Sequence, residues 1–197
     1  MAKPVMSYYT LEDFHVRSQA KTMEDILKLA ENVLARREEW VIVGSPITSG
    51  IRPDAENEDR LHRNIVWLKK QFVIAFNYLP LRKKAVEILK MEILEEEDTS
   101  KNQKHALLRR LYRLRFVVRK LLRNLFGKNV LTKKQEYELQ VRLWERFFLP
   151  LLKTGKFRQL RIMPAWEASL IVQRMRQFAL DNGIEIRFMP GPEELPE

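Results

Sequence analysis

The chain has 197 residues and a mass of 23.6 kDa, the size of one domain, and its 45% hydrophobic and 31% charged residues make a globular rather than a disordered composition. It contains no cysteine, which excludes a disulfide framework, a thiolate metal site and a cysteine nucleophile, and suits a reducing, cytoplasmic setting. The net charge is +10, yet twelve Lys or Arg and no acid lie between Thr99 and Gln135, so the remainder sums to −2: a basic segment on a nearly neutral domain, the pattern that attracts polyanions.

The opening MAKPVMSYYTLEDFHVR has no apolar stretch after a basic start and carries acids early, so it reads as mature sequence and not as a targeting segment. No apolar run approaches the roughly 20 residues of a membrane-spanning helix. Residues 1–39 form an N-terminal helical extension in which Thr22-x-x-Asp25 caps a helix, with Ile26, Ala30, Val33 and Leu34 on one face and an end near Glu39. Trp40-Val41-Ile42-Val43 is a short β-branched run, a buried strand feeding the loop GSPITSGIRP.

From Asp54 the spacing predicts a long helix with Leu61, Ile65, Leu68, Phe72 and Phe76 on one face, interrupted at Pro80 and resuming through Met91. The acidic run Glu95 to Asp98 and the polar residues after it predict an exposed connection. Ser100-x-x-Gln103 then has the pattern of a capping box for a third helix, apolar along Leu107, Leu111, Leu114, Val118, Leu121 and Leu125, with Arg109, Arg113, Lys120 and Arg123 opposite. Asn129-Val130-Leu131 follows as a three-residue strand candidate.

Thr132-x-x-Gln135 opens a helix carrying Tyr137, Val141, Trp144, Phe147 and Phe148, ending before Pro150. A strand over Gln159–Met163, a helix from Trp166 to Asn182 closed by Gly183, and a strand over Ile184–Met189 complete the pattern, with 190–197 as a tail. The order predicts a single α/β domain: a small Rossmann-like, mostly parallel sheet with covering helices. Its first strand, loop and helix occupy 40–76, a helical insertion with the basic helix 77–126, and the C-terminal half of the core 127–189.

The loop after the first strand gathers Gly44, Ser45, Pro46, Ile47, Thr48, Ser49 and Gly50 where α/β proteins place ligands, and its amides and hydroxyls suit a phosphate or a sugar. It has neither the Gly-x-Gly-x-x-Gly spacing nor a Gly-Lys-Ser/Thr, so the same residues also suit a plain strand-to-helix turn. His15, His62 and His105 are scattered, with no spacing that holds a metal or makes a catalytic base. No cofactor is implied.

Taken together, Val43-Gly44-Ser45-Pro46-Ile47-Thr48-Ser49-Gly50, Gly127 to Thr132, then Gln135, Tyr137 and Trp144, and above all Pro164-Ala165-Trp166-Glu167-Ala168-Ser169 with Ala179 and Gly183-Ile184, resemble the nucleoside 2-deoxyribosyltransferase-like superfamily, including its bacterial and phage relatives. The resemblance spans both ends of the α/β core but neither the first 39 residues nor the basic segment. It implies a nucleotide or nucleoside-like ligand held by Ser45, Pro46, Thr48, Gly50, Trp166 and Ser169, in a protein that forms oligomers with sites completed by a neighbour.

The resemblance also implies the chemistry of an N-glycosidic bond hydrolase or deoxyribosyltransferase, in which a helix glutamate meets an oxocarbenium-like transition state. Reading the pattern across by spacing places that glutamate at Met175 and a pattern glycine at Ile171. A thioether cannot attack carbon or carry negative charge, so the parent reaction is lost or passes to Glu167, a first-turn acid that also suits the helix dipole.

The competing class is a nucleic-acid- or protein-binding module that uses the basic helix 101–126 on the same scaffold. There Arg109, Arg110, Arg113, Arg119, Lys120 and Arg123 would track phosphates or meet an acidic partner. A solvated basic face, or an arginine-laced helix paired with acids such as Glu95 to Asp98, is the plainer reading of the same charges, and binding to a membrane surface is a third.

Overall fold

The computed structural model describes residues 9–45, 54–70, 73, 75–103 and 131–190, with the backbone alone at 54–57 and 97–103. Three parallel strands make an open sheet in the order β1 (Trp40–Gly44), β2 (Phe157–Ile162), β3 (Glu185–Phe188). A parallel sheet needs crossovers, and the helices between the strands supply them. Beside β1, among the described residues, a parallel bridge joins Val41 to Ala75, and Phe76 donates its amide to the Val41 carbonyl at 2.7 Å. This rudimentary pairing has no counterpart in the hydrophobic pattern, which places Phe76 on a helix. The strand expected at 129–131 falls mostly outside the described residues; Leu131 is buried but unpaired by any described strand.

Two reciprocal capping boxes start the N-terminal helices. Thr10 and Asp13 cap α1 (Leu11–Gln19), a helix the sequence pattern did not single out, and Thr22 and Asp25 cap α2 (Met23–Leu34) as expected. Asp13 is buried and grips both guanidinium nitrogens of Arg36 at 2.7 and 2.8 Å, tying the start of α1 to the end of α2. Burial pushes its carboxyl up, but the hydrogen bonds from Arg36 and Thr10 outweigh that and hold it below the ordinary range. α2 ends at Leu34, short of Glu39, because the Leu34 carbonyl receives the Trp40 indole at 3.0 Å and the chain must turn there into β1.

α3 (Asp54–Lys70) and α4 (Leu79–Gln103) are separate helices. Pro80 does not interrupt one long helix: it is the second residue of α4, where a missing amide costs nothing. The acidic run is likewise no connection, since α4 continues through it to Gln103, and Ser100 and Gln103 lie within its last turn. α5 (Lys133–Leu143) begins at the Thr132–Gln135 capping box as expected. It passes through a π turn at Trp144–Phe148 into α6 (Leu149–Lys153), so Pro150 sits inside a helical run. The wider turn, in which the Leu149 amide reaches the Trp144 carbonyl, relieves the clash a proline ring makes with the carbonyl four residues back. α4 and α5 run antiparallel, since Glu92 pairs with Arg146 and Glu96 with Arg142.

The core fills the space between β1, β2 and these helices. Trp40, Phe76 and Phe157 pack with ring centroids 5.6 and 5.9 Å apart, while Tyr78, Phe148 and Phe147 make a second cluster at 5.2 and 5.0 Å. Each such ring contributes about 1.5–3 kcal/mol by burial. β1 is buried throughout and β2 mostly, whereas β3 is exposed along most of its length, the reverse of the usual covered parallel strand. α7 (Leu170–Asp181) lies on the sheet through Ile171, Val172, Met175 and Ala179. Among the described residues no helix is long and apolar enough to cross a membrane.

Candidate functional site

Parallel strands deliver their carboxyl ends to one side of the molecule. Gly44 pairs with Ile162, the Met163 amide donates to the Gly44 carbonyl at 2.9 Å, and the Met189 amide donates to the Ile162 carbonyl at 2.8 Å, so Ser45, Met163 and Met189 follow one another across the same edge. Gly44 is required by close approach: a Cβ there would meet a Val172 methyl at 2.9 Å, so only glycine lets α7 lie this near the end of β1.

Ser45 is buried, at 6% exposure, and among the described residues its hydroxyl has no hydrogen-bond partner. Its backbone is held from below by Tyr78. The fully buried phenol donates to the Val43 carbonyl at 2.9 Å, and burial, only partly offset by Arg82 and the Ser45 backbone, keeps it protonated far above its usual range. Arg82 follows Tyr78 by one helical turn, is almost fully buried, and faces Glu58 of α3 at 3.9 Å, with Lys83 on the same carboxylate at 2.6 Å. Asn77 accepts the Leu79 amide at 3.2 Å, shaping the start of α4, and its carbonyl receives the Tyr9 hydroxyl at 2.9 Å. A neutral hydroxyl and a buried cation thus lie near the end of β1.

Tyr78, Asn77 and Arg82 were not singled out from the sequence. The signal available was Tyr78-x-x-x-Arg82, an aromatic and a cation one turn apart at the start of an apolar helix, and it has too many ordinary meanings to point at a site.

At the end of β2 the chain turns through Ala165, a non-glycine residue in the left-handed region at φ 63°. A short 3₁₀ turn, Trp166–Ala168, follows, and α7 starts at Leu170 with Ser169 as its N-cap, so the helix does not begin at Trp166. The Trp166 ring is half-buried between the Arg176 guanidinium, 5.3 Å from its centroid, and the Phe188 ring at 6.3 Å. The Arg176 Nε beside it is buried without a hydrogen-bond partner. Trp166 therefore stands at the β3 side of the edge and Ser45 at the β1 side.

The remaining residues of the C-terminal pattern have different surroundings. Ser169 is buried and its hydroxyl accepts the Val172 amide at 3.4 Å, a helix cap before anything else. Glu167 is exposed on the 3₁₀ turn, and its carbonyl receives the Gln173 side chain. Met175 is only 1% exposed and Ile171 is buried with it, so both belong to the face of α7 that packs in the core. A carboxylate at 175 would enter the core instead of an open cleft, and Ile171 crowds no ligand: both positions act in packing.

Pro46, Thr48 and Gly50 lie outside the described residues, as do Arg109, Arg110, Arg113, Arg119, Lys120, Arg123 and His105. His15 is exposed and bonded to Gln19 at 3.0 Å, and His62 lies on α3. Among the described residues no three His, Asp or Glu gather as a metal site. No protein-family model matches the chain, and no curated protein or solved structure matches it either.

Proposed function

We propose that this chain binds a nucleotide or nucleoside-like molecule at the carboxyl end of a Rossmann-like sheet, between Ser45 and Trp166, and does not carry out deoxyribosyl transfer through the helix position occupied by Met175. The observation that carries the reading is the buried Ser45 hydroxyl, left without a partner among the described residues two positions after the Val43 carbonyl that Tyr78 holds. A buried hydroxyl without a partner costs roughly 1–3 kcal/mol, a cost that a ligand oxygen would offset. Arg82 supplies positive charge nearby, suited to a phosphate, and the Trp166 ring supplies a face on which a base can stack.

The turn at Ala165 supports the same reading. The superfamily pattern has glycine there, the residue that enters the left-handed region without strain, and this chain keeps the conformation with alanine. Ser169 serves the site by starting α7 in the right place, and the exposed Glu167 is the carboxylate left for any residual chemistry.

Titrating deoxynucleosides and their monophosphates against the protein by calorimetry, with base release followed by chromatography, tests the proposal. Binding without released base is expected, and Ser45→Ala and Trp166→Ala should each weaken it. No binding of any member of the panel refutes the reading.

A second reading rests on the twelve Lys and Arg between Thr99 and Gln135, which suit a polyanion such as nucleic acid. Binding of DNA or RNA that weakens steeply with salt supports it, and undetectable binding at low salt removes it.

A further inference from the structure

β3 is the outer strand of the sheet, and among the described residues nothing pairs with its far side. Alternation along the strand decides which groups point outward. Met189 turns its amide to Ile162, so Arg187 and Glu185, two and four residues earlier, also direct their backbone groups at β2, while Ile186 and Phe188 direct theirs away from the sheet. That edge is also apolar. Phe188 is 61% exposed, and Leu180, 52% exposed, follows Arg176 by one turn of α7 and so shares the flank on which Arg176 covers Trp166. Ile184 and Ile186 continue the apolar row on the same side of the strand as Phe188.

Natural edge strands are guarded by charge, proline or bulges that repel a second edge. β3 carries one acid and one base, Glu185 and Arg187, placed symmetrically about Ile186 and about half exposed. Read in the opposite direction, the triplet Glu185-Ile186-Arg187 meets its own complement. We propose that β3 pairs antiparallel with β3 of a second copy of this chain about a two-fold axis at Ile186, joining the two sheets into one.

In that register Ile186 faces the partner's Ile186 and exchanges two backbone hydrogen bonds with it, because its amide and carbonyl are the ones turned outward. Glu185 faces the partner's Arg187, and Phe188 faces the partner's Ile184. An axis one residue later would oppose two guanidiniums, and one residue earlier two carboxylates, so the charges favour this register over both of its neighbours. Self-complementarity of one patch is what a two-fold interface requires. The proposal stands apart from the ligand reading, since it uses the far side of β3.

Sedimentation over a concentration series tests it. The protein is expected to show a monomer–dimer equilibrium whose dissociation constant rises about tenfold or more in Arg187→Glu and in Glu185→Arg, each of which sets like charges face to face twice across the axis. The double variant Glu185→Arg/Arg187→Glu should recover the original constant. Because the chain has no cysteine, register is read directly. Ile186→Cys should oxidise to a covalent dimer, its Cα atoms falling about 5.5 Å apart, while Phe188→Cys, about 13 Å from its copy, should not. A protein monomeric throughout the series, a dimer indifferent to the charge reversals, or cross-linking at 188 in preference to 186 overturns the proposal.

Discussion

Replacing Met175 by glutamate separates two views of α7. If the helix presented position 175 to a ligand, the substitution would restore a reactive carboxylate and be tolerated. The structure places the thioether in the core, 1% exposed, in one stripe with Ile171, Val172 and Ala179. A glutamate there must be buried, and burial raises its folded pKa, to 8–9 in documented cases. Below the unfolded value of about 4.3 both states are protonated and the penalty is absent; above it, the loss grows by about 1.36 kcal/mol per pH unit until the folded pKa is reached. At pH 7 that amounts to about 4 kcal/mol, to which loss of the methionine packing adds about 1 to 2. This is a large part of a domain's stability of roughly 5–15 kcal/mol. Urea melts of both proteins should show a deficit of about 2–3 kcal/mol at pH 5 that grows to about 5–6 kcal/mol at pH 7. A Met175→Glu protein as stable as the parent at pH 7, or one that releases base from a deoxynucleoside, would refute the argument and return position 175 to the site.

Ala165→Gly should stabilise by roughly 0.5 to 1 kcal/mol, since glycine removes the left-handed strain at a smaller cost in chain entropy, and a thermal melt reads it. Gly44→Ala should cost about 1–3 kcal/mol through the Val172 methyl, and a double-mutant cycle with Val172→Ala should show the two losses to be less than additive. Asp13→Asn should cost about 2 kcal/mol at neutral pH by breaking the grip on Arg36. Because the folded pKa of Asp13 lies below its unfolded value, that difference should hold above about pH 4 and shrink as acid titrates the wild-type carboxyl, which denaturation at pH 7 and pH 2.5 compares. If the basic segment holds six phosphates, the logarithm of the nucleic-acid affinity should fall with that of the salt concentration at a slope of about −5.

The parts of the fold that were legible are those where one local rule suffices. Thr22-x-x-Asp25 and Thr132-x-x-Gln135 each close a reciprocal cap, and WVIVG is a strand because a β-branched run of that length buries both faces. The prolines were harder, because the residue alone does not say on which side of it the helix lies. Pro80 opens α4, and Pro150 is carried within a helix by a π turn whose width no local pattern announces. Ser100-x-x-Gln103 has the letters of a cap but sits at the end of a helix already several turns long. Of the proposed site, the sequence offered a place and not a set of contacts. Strand order pointed to the edge beyond Ser45, but the Tyr78 latch depends on packing across thirty-five residues of chain. Spacing along a family pattern put Met175 in the position of a reacting group, whereas the apolar stripe 171, 172, 175, 179, already present in the sequence, was the better guide to its direction.

The antiparallel pairing of α4 with α5 bears on how this chain can be taken apart. With Glu92 against Arg146 and Glu96 against Arg142, the end of α4 at Gln103 comes beside the start of α5 at Lys133. A short flexible linker from Gln103 to Leu131 should therefore join them at little entropic cost. The excised form would lose nine Lys or Arg and no acid, falling from +10 to +1. One shortened protein, assayed for small ligands and for polyanions, would assign each affinity to its own half of the molecule.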